Sequence, residues 1–380
     1  MTDFDVVVAG GSISGLLAAR EVALAGLSVA VLEEDAEIGT PEHCGGLVSM
    51  EGIKNLGIIP DSISIENGRV RKARILSPSN GFEISAEKQK VVVLDRRALD
   101  KQAALQAQRA GAEIRVKCSM RSFSSGDPCT IKTSEGDLTC DYFVDARGVA
   151  SIIGRNREGV LSSAQYEVYA PWIERDTIEV AFDSERYPGF FAWIIPTGEG
   201  RGKVGVAGRG INAASALKSY MDAKGPSSAV RKVYAPLWVS GPVAEFVSGR
   251  TVIVGDAAGQ TKPTTAGGIY TCGMGGILAG RAIAAAKNDG GRIGIYQKGW
   301  ESMFKEEFDK MLLARKLLER LDNKAIDELF AAIPKDKIEE AASGDFDFHA
   351  AALSKLLSAR GAARMAKALL GNEIRRLVDG

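Results

Sequence analysis

Histidine and cysteine, the residues that most often build metal centres and disulfide frameworks, are scarce in this chain. Its 380 residues include two histidines, His43 and His349, and five cysteines. The cysteines are odd in number, scattered, and never in C-x-x-C spacing: they are Cys44, Cys118, Cys129, Cys140 and Cys272. Structural zinc sites usually use such paired spacings, and disulfide frameworks usually have an even number of cysteines. The sequence therefore predicts neither a metal site nor a disulfide framework.

Excess charge of one sign is also missing. Forty-eight basic residues balance 48 acidic ones, so the formal net charge is zero and nucleic acid is not an expected partner. The apolar stretches, such as the one around Phe246 and the glycine-rich run from Gly267 to Gly280, are broken before the roughly 20 residues that a membrane span needs. The N-terminus lacks the positive charge of a signal peptide. We expect a cytoplasmic protein with no spanning segment.

What is present is the composition of a soluble enzyme, with 45% hydrophobic and 25% charged residues. Residues 4–9 form a valine-rich apolar run, which is typical of a strand buried on both faces of a parallel sheet. Apolar residues at helical spacing follow from Ser14 to Ala25, and residues 28–32 form a second buried strand. The N-terminus is therefore predicted to be a βαβ unit.

The remaining pattern predicts a mixed α/β fold with an inserted antiparallel sheet and C-terminal helices. Strands are expected at 91–94, 113–116 and 142–146, a hairpin at 129–141, and a helix at 97–109. Residues 167–208 alternate as an antiparallel sheet does, and a strand at 251–254 precedes a helix at 267–287. We predict one discontinuous domain (1–165 plus 245–290), an inserted β-sheet domain (166–244) and a helical region (291–380).

The turn after the first strand is close to the dinucleotide-binding pattern G-x-G-x-x-G. Gly10 permits the tight turn, Gly15 lets helix and strand pack closely, and the helix N-terminus after Gly11 presents N–H groups to a pyrophosphate. Glu33 ends the second strand, where an acid accepts ribose hydroxyls. Ser12 replaces the middle glycine. This fingerprint alone leaves NAD and FAD both open.

Three distant segments bear on that choice. A strand leads into Gly255-Asp256-Ala257-Ala258-Gly259, and a glycine-led helix opens at Gly268 and Ile269. Asp256 and the helix N–H groups suit a ribityl chain and pyrophosphate. The other two segments are Asp95-Arg96-Arg97-Ala98-Leu99-Asp100 and Val144-Asp145-Ala146-Arg147-Gly148. Each of these two alone is also typical of a solvated helix start.

With these segments in order, the chain resembles FAD-dependent oxidoreductases of the p-hydroxybenzoate hydroxylase fold, and within them the geranylgeranyl reductases of archaeal lipid synthesis. Three features carry the closer resemblance: residues 41–46 (PEHCGG), residues 255–269 (GDAAGQTKPTTAGGI), and residues 191–196 (FAWIIP). The last is similar to the family's aromatic-x-Trp-x-Phe-Pro element, from which Phe191 and Ile195 depart. The resemblance covers residues 3–287 and implies a Rossmann-like FAD-binding domain.

The resemblance also implies cofactor and substrate residues. Ser14 and Glu33 should contact the adenosine half of FAD, and Met120 should meet the adenine. The remaining FAD contacts implied are Cys44, Gly45, Leu47, Arg96, Asp256, Gly268 and Ile269. Phe191, Trp193 and Pro196 should line a lipid tunnel, although Trp193 could equally be core.

The family saturates the isoprenoid double bonds of geranylgeranyl chains, often on glycerol phospholipids. The implied partners are thus an isoprenoid lipid and an external electron donor, which could be NAD(P)H, ferredoxin or a deazaflavin. Cys44 is the candidate catalytic residue because its thiol could supply or position the proton; its alternative is a buried inert thiol. His43 is a further candidate for the proton relay, or a surface turn residue.

Residues 354–379 place apolar residues at helical intervals beside a cationic face. Such a helix either lies on an anionic membrane surface or docks on its own domain. We expect any membrane contact to be peripheral, at the inner face of the cell membrane, and weakened by salt.

Three other functions share parts of the pattern. An FAD monooxygenase of a small aromatic substrate usually has histidine where this chain has Gly259. A flavin-dependent halogenase carries the motif Trp-x-Trp-x-Ile-Pro, whereas this chain has Phe191 in place of the first tryptophan. An electron-transfer flavoprotein usually brings an iron–sulfur centre, for which these scattered cysteines are unsuited.

Overall fold

The predicted N-terminal βαβ unit is present in the computed structural model, which describes residues 2–154, 156–334, 336, 338 and 345–348. The strands are β1 Phe4–Ala9, β2 Val29–Leu32, β3 Leu47–Ser49, β4 Ile65–Asn67, β5 Lys72–Leu76, β6 Gly81–Ser85, β7 Val91–Leu94, β8 Glu113–Arg115, β9 Met120–Ser124, β10 Cys129–Thr133, β11 Gly136–Asp145, β12 Val160–Tyr169, β13 Thr177–Ala181, β14 Ala192–Gly198, β15 Arg201–Gly208, β16 Ser228–Trp238, β17 Val247–Ser248 and β18 Thr251–Ile253.

The helices complete the mixed α/β fold that the sequence predicts. They are α1 Ile13–Leu24, α2 Met50–Asn55, α3 Arg96–Ala110, α4 Val149–Ile153, α5 Ala213–Lys224, α6 Ile269–Asp289, α7 Ile295–Leu318 and α8 Asn323–Ala332. Short 3₁₀ helices lie at Glu87–Gln89 and Gly255–Ala258.

The first sheet has the central order β17-β18-β11-β1-β2-β8, and β10 and β9 extend it from β11. β1 pairs in parallel with β2 and β11, and Val6, Val7 and Val8 are fully buried. A strand covered on both faces needs such a continuous apolar run. The second arm of the predicted hairpin and the apolar strand after it form one long strand, β11, which pairs antiparallel with β10 and parallel with β1.

Helix α6 packs directly on α1 through glycine. A Cβ at Gly276 would lie 2.1 Å from the carbonyl oxygen of Ser14, and one at Gly280 would lie 2.5 Å from that of Ala18. By length and composition α6 could cross a membrane, which corrects the expectation that no apolar segment is long enough. More than half of its apolar window is buried inside the protein, so we interpret α6 as a core helix.

The second sheet has seven strands in the order β16-β12-β15-β14-β13-β5-β6. The hairpin β5–β6 belongs to it because β5 pairs in parallel with β13. The predicted boundaries of the inserted domain, 166–244, therefore miss residues 72–85 and the start of β12. The predicted strand at 91–94 is β7, which lies in a separate three-stranded sheet with β3 and β4.

The C-terminal helices pack on both parts of the fold, α7 beside α6 and α8 against β6 of the second sheet. The aromatic side chains of Trp300, Phe304 and Phe308 on α7 are buried in the core beside α6. Phe330 on α8 lies with its ring centroid 5.5 Å from that of Phe82 on β6. The predicted amphipathic helix at 354–379 lies outside the described residues.

Candidate active site

A cavity of about 920 Å³ lies between the dinucleotide fingerprint and the second sheet. This volume is at the upper end of the range for ligand sites. Most of the predicted site residues line it: Gly11, Ser14, Glu33, Cys44, Gly45, Leu47, Arg96, Phe191, Trp193, Asp256, Gly268 and Ile269. The fold therefore brings together residues that are up to 258 positions apart, counted from Gly11 to Ile269 (269 − 11).

The glycines of the fingerprint are required by close contacts. Gly10 has φ +112°, and a Cβ there would lie 2.3 Å from the carbonyl oxygen of Ala146. A Cβ at Gly15 would lie 2.1 Å from the carbonyl oxygen of Gly10. The side chain of Ser12 makes no capping hydrogen bond to α1, so the helix N-terminus keeps N–H groups for an anion.

Glu33 sits at the edge of this turn with both carboxylate oxygens engaged. Oε2 accepts a hydrogen bond from the backbone N–H of Gly11 at 2.9 Å, and Oε1 accepts one from that of Asp35 at 2.9 Å. Burial raises the pKa of Glu33 above its ordinary value, although these two hydrogen bonds oppose the rise. Each oxygen retains acceptor capacity for a ribose hydroxyl.

The loop of residues 41–46 places Cys44 at the cavity and packs between the second sheet and β7. A Cβ at Gly45 would lie 2.4 Å from Cδ1 of Ile195 on β14. Gly46 has φ +78°, and a Cβ there would lie 2.2 Å from the carbonyl oxygen of Leu94. The glycine pair after Cys44 is thus explained by contact with the second sheet on one side and β7 on the other.

Glu42 fastens the same loop through buried charges. Its Oε1 accepts from Lys203 Nζ at 2.7 Å and from the Arg96 N–H at 3.2 Å, and its Oε2 accepts from Arg231 Nη1 at 3.0 Å. Burial opposes its ionisation, but Lys203 and these hydrogen bonds lower the pKa of Glu42. Lys203 also lies 2.9 Å from Glu66 Oε2, an ion-pair distance without hydrogen-bond angles. The sequence analysis did not identify this cluster.

The opposite wall of the cavity is apolar and comes from four adjacent strands. Trp193, Val180, Ile75 and Phe82 are successive cross-strand partners on β14, β13, β5 and β6. A second such row consists of Ile178, Ala73 and Ile84, and both rows line the cavity. At about 4.8 Å between strands, the first row is about 14 Å long. We call these seven residues the apolar wall.

Comparison with known proteins agrees with this architecture. Residues 3–205 match the family model of an FAD binding domain. Digeranylgeranylglycerophospholipid reductase 1 of Methanopyrus kandleri is 32% identical, over 89% of this chain and 96% of the relative. Digeranylgeranylglycerophospholipid reductase 2 of Methanothermobacter thermautotrophicus is 31% identical, over 87% and 91%. The chain belongs to the digeranylgeranylglycerophospholipid reductase family.

Solved structures share the fold. A geranylgeranyl bacteriochlorophyll reductase-like protein from Thermoplasma acidophilum superposes with a TM-score of 0.84 at 24% identity, covering 96% of this chain and 98% of that one. The myxobacterial halogenase CndH gives a TM-score of 0.66 at 15% identity, covering 94% and 98%. The likeness to halogenases therefore extends to the fold, whereas the sequence relatives above are reductases of the family.

FAD is the cofactor of the family, and the cavity residues fit it. The guanidinium of Arg96 donates to both oxygens of Asp100, at 2.8 and 3.0 Å, yet its Nε is buried without a hydrogen-bond partner. Such an unsatisfied buried donor is costly unless a ligand meets it. Burial opposes the charge, but Asp100 and then the Cys44 thiol raise the pKa of Arg96 above its ordinary value.

The N-terminus of α6 supplies the second half of the cofactor site. Asp256 accepts a hydrogen bond from the Thr261 hydroxyl and lies 3.4 Å from the sulfur of Cys272, while its other oxygen is free of protein partners among the described residues. Gly268 is the residue before α6 and leaves N–H groups without side-chain caps. The nearby Lys262, which the sequence analysis did not single out, lines the cavity and pairs with Asp347 at 3.6 Å.

Four predicted site residues do not line the cavity. Gly10 and Gly15 act behind it, by the close contacts described above. Met120 lies on β9 and packs against the apolar cluster under the first sheet, so the predicted adenine contact has no counterpart in the cavity lining. Pro196 is buried in β14, where its carbonyl accepts from the side chain of Asn67 at 2.9 Å. Its strand position points the preceding residue, Ile195, to the cavity instead.

Proposed function

We propose that this protein reduces the carbon–carbon double bonds of geranylgeranyl chains on isoprenoid glycerophospholipids, with FAD as the hydride carrier. The proposal rests on one observation: the dinucleotide site and the apolar wall line opposite sides of the same cavity. A reductase of polar substrates would need polar groups on that wall. The relatives' names point to the same lipid class.

The apolar wall suits an unactivated alkene. Burial of one isoprene unit removes about four to five carbons from water, which at about 0.8 kcal/mol per carbon stabilises the complex by about 3–4 kcal/mol. Polar substrates gain nothing comparable from Val180, Ile75 and their neighbours. The same wall excludes water from the reacting carbons, which protects a hydride donor from side reactions.

Reduced FAD supplies a hydride to one alkene carbon when it is bound. The chain's own residues must then supply a proton to the other carbon. We propose that Cys44 does so from its Sγ, because the thiol lies on the cavity wall beside Arg96, whose pKa it helps to raise.

Substitution tests this role of Cys44. Cys44→Ala should keep FAD bound, as measured by the flavin spectrum, and lower the rate of isoprenoid saturation by about 10²-fold or more, the usual contribution of a positioned acid. Cys140→Ala is the control, because that thiol is buried outside the cavity and burial raises its pKa to about 12. Unchanged turnover in Cys44→Ala would leave the thiol as a packing residue.

The function itself is tested by product mass. Dithionite-reduced purified protein is incubated anaerobically with a geranylgeranylated glycerol phospholipid, and the lipid is analysed by mass spectrometry. The proposal predicts mass gains in steps of two hydrogens. Unchanged lipid, with FAD bound and reducible, would contradict it.

The physiological electron donor is proposed to be external to the chain, and NAD(P)H, ferredoxin and a deazaflavin are the candidates. Anaerobic mixing of the oxidised protein with each donor distinguishes them through the bleaching of flavin absorbance. A donor that bleaches the flavin within the turnover time of lipid reduction is the one used.

A further inference from the structure

Gln165 on β12 joins two of the residues that carry the proposed function. Its Nε2 donates a hydrogen bond to the carbonyl oxygen of Cys44 at 3.2 Å, and its Oε1 accepts one from the indole Nε1 of Trp193 at 3.1 Å. The side chain is 8% exposed and lines the cavity. Both ends of the amide are thus used by groups from different parts of the chain.

A glycine makes the link between Gln165 and Trp193 possible. Gly205 on β15 is the cross-strand partner of both residues and stands between them in the sheet. A Cβ at Gly205 would lie 2.2 Å from Cζ2 of the Trp193 ring. The indole therefore lies across the space that any other side chain at position 205 would occupy, and in this placement its N–H reaches Gln165.

The loop side of the link is equally close. A Cβ at Gly45 would lie 3.7 Å from Oε1 of Gln165, so the residue after Cys44 is in contact range of the same amide. The Cys44 sulfur accepts a hydrogen bond from the Gly46 N–H at 3.3 Å, which fixes the side chain relative to the loop. Holding the Cys44 carbonyl therefore holds the thiol.

We propose that Gln165 is a positioning residue, which couples the Trp193 wall of the substrate slot to the Cys44 loop so that thiol and slot keep one geometry. This inference rests on the proposed function for its turnover readout only. The amide does not contact reacting atoms in this role; it acts through Cys44 and Trp193. Its loss should affect the orientation of the thiol more than the binding of the lipid.

The test is Gln165→Met in the purified holoenzyme, since methionine has similar length and neither hydrogen bond. Two quantities are measured: the rate of Cys44 alkylation by iodoacetamide, read by peptide mass spectrometry, and the kcat and KM for the geranylgeranylated phospholipid. Loss of one hydrogen bond to the loop should speed alkylation of Cys44 about fivefold. We expect kcat to fall about tenfold or more and KM to change by less than about threefold.

Two further variants separate the ends of the amide. Gln165→Glu retains an acceptor for the Trp193 N–H but has no donor for the Cys44 carbonyl, so it should behave like Gln165→Met. Trp193→Phe removes the indole N–H together with part of the ring but leaves the Gln165 hydrogen bond to the Cys44 carbonyl, so alkylation of Cys44 should stay within about twofold of the wild-type rate. A larger change in the rate of Cys44 alkylation in Trp193→Phe than in Gln165→Glu would overturn the proposal.

Gln297 provides a matched control. Its amide also bonds at both ends, accepting from the Phe246 N–H at 3.0 Å and donating to the Ala244 carbonyl at 3.0 Å, and it does not line the cavity. Gln297→Met should lower Tm without altering Cys44 alkylation or kcat. Equal alkylation rates in Gln165→Met and wild type would refute the positioning role. Wild-type protein that saturates no lipid would instead refute the proposed function, while the alkylation result would stand.

Discussion

Lys203 offers the sharpest test of how the Cys44 loop is held to the second sheet. Its side chain is 1% exposed, and Nζ lies between Glu42 at 2.7 Å and Glu66 at 2.9 Å. Lys203→Met leaves Glu66, which is 23% exposed, without this cation, and leaves Glu42, which is 1% exposed, with arginine partners such as Arg231 only. Breaking one side of a buried ion pair costs about 3–5 kcal/mol.

Dividing that free-energy cost by the entropy of unfolding gives the expected fall in melting temperature. Unfolding entropy is about 2.1 cal/mol/K per residue, or about 0.8 kcal/mol/K for 380 residues. The expected fall in Tm is therefore about 4–6 °C, measured by differential scanning fluorimetry. Lys203→Met/Glu66→Leu should recover part of it, because one unpaired carboxylate is then gone. Lys132→Met, an exposed lysine on β10, should change Tm by less than about 1 °C.

The pH dependence of the cost follows from the sign of the pKa shifts. Burial raises the pKa of Glu66, and Lys203 opposes that rise. Without Lys203 the folded-state pKa of both carboxyls should lie higher, and a raised acid pKa means stability that is lost as pH rises. The difference in Tm between variant and wild type should thus be larger at about pH 7.5 than at about pH 4.5. A pH-independent difference below about 1 °C would refute the reasoning.

Further predictions concern the cofactor, the core and the membrane. Burial raises the pKa of Glu33, so FAD binding should weaken as the pH falls through that raised value. The variant Glu33→Gln should bind FAD more weakly than wild type and without this pH dependence. Flavin fluorescence titration measures both effects. Gly276→Ala should lower Tm since its Cβ would meet the Ser14 carbonyl, whereas Gly299→Ala on α7, with its nearest atom at 3.6 Å, should be neutral or raise Tm; a rise in both would contradict the packing argument. Residues 354–379 should float the protein with anionic liposomes at low salt and release it at high salt, and no flotation at low salt would end the peripheral-membrane proposal.

The first sheet was predictable because its signals are local. Valine runs that are buried on both faces, glycines at tight turns, and an acid after the second strand each follow from the backbone of a few neighbouring residues. Residues 4–9 are predicted as a strand and form β1 with those bounds. The hairpin 129–141 is likewise present, since its pairing is between neighbours in sequence.

The second sheet was harder because its decisive contacts are between distant segments. The strands β5 and β6 were not predicted from the sequence, and the pairing of β5 with β13 crosses about 100 residues. Gln165 carries no motif, and its role follows only from the register that sets it beside Gly205 and Trp193. Met120 was carried over from a resemblance, not from a contact, and it packs elsewhere.

The parallel pairing of β5 with β13 also limits how such enzymes can be recombined. Four of the seven residues of the apolar wall, Ala73, Ile75, Phe82 and Ile84, are encoded before α3, and the other three after β12. Exchanging residues 166–244 alone between two relatives would combine three wall positions from one parent with four from the other. A chimera that transfers chain-length preference should therefore carry both segments, 72–85 and 160–238, as one inherited unit.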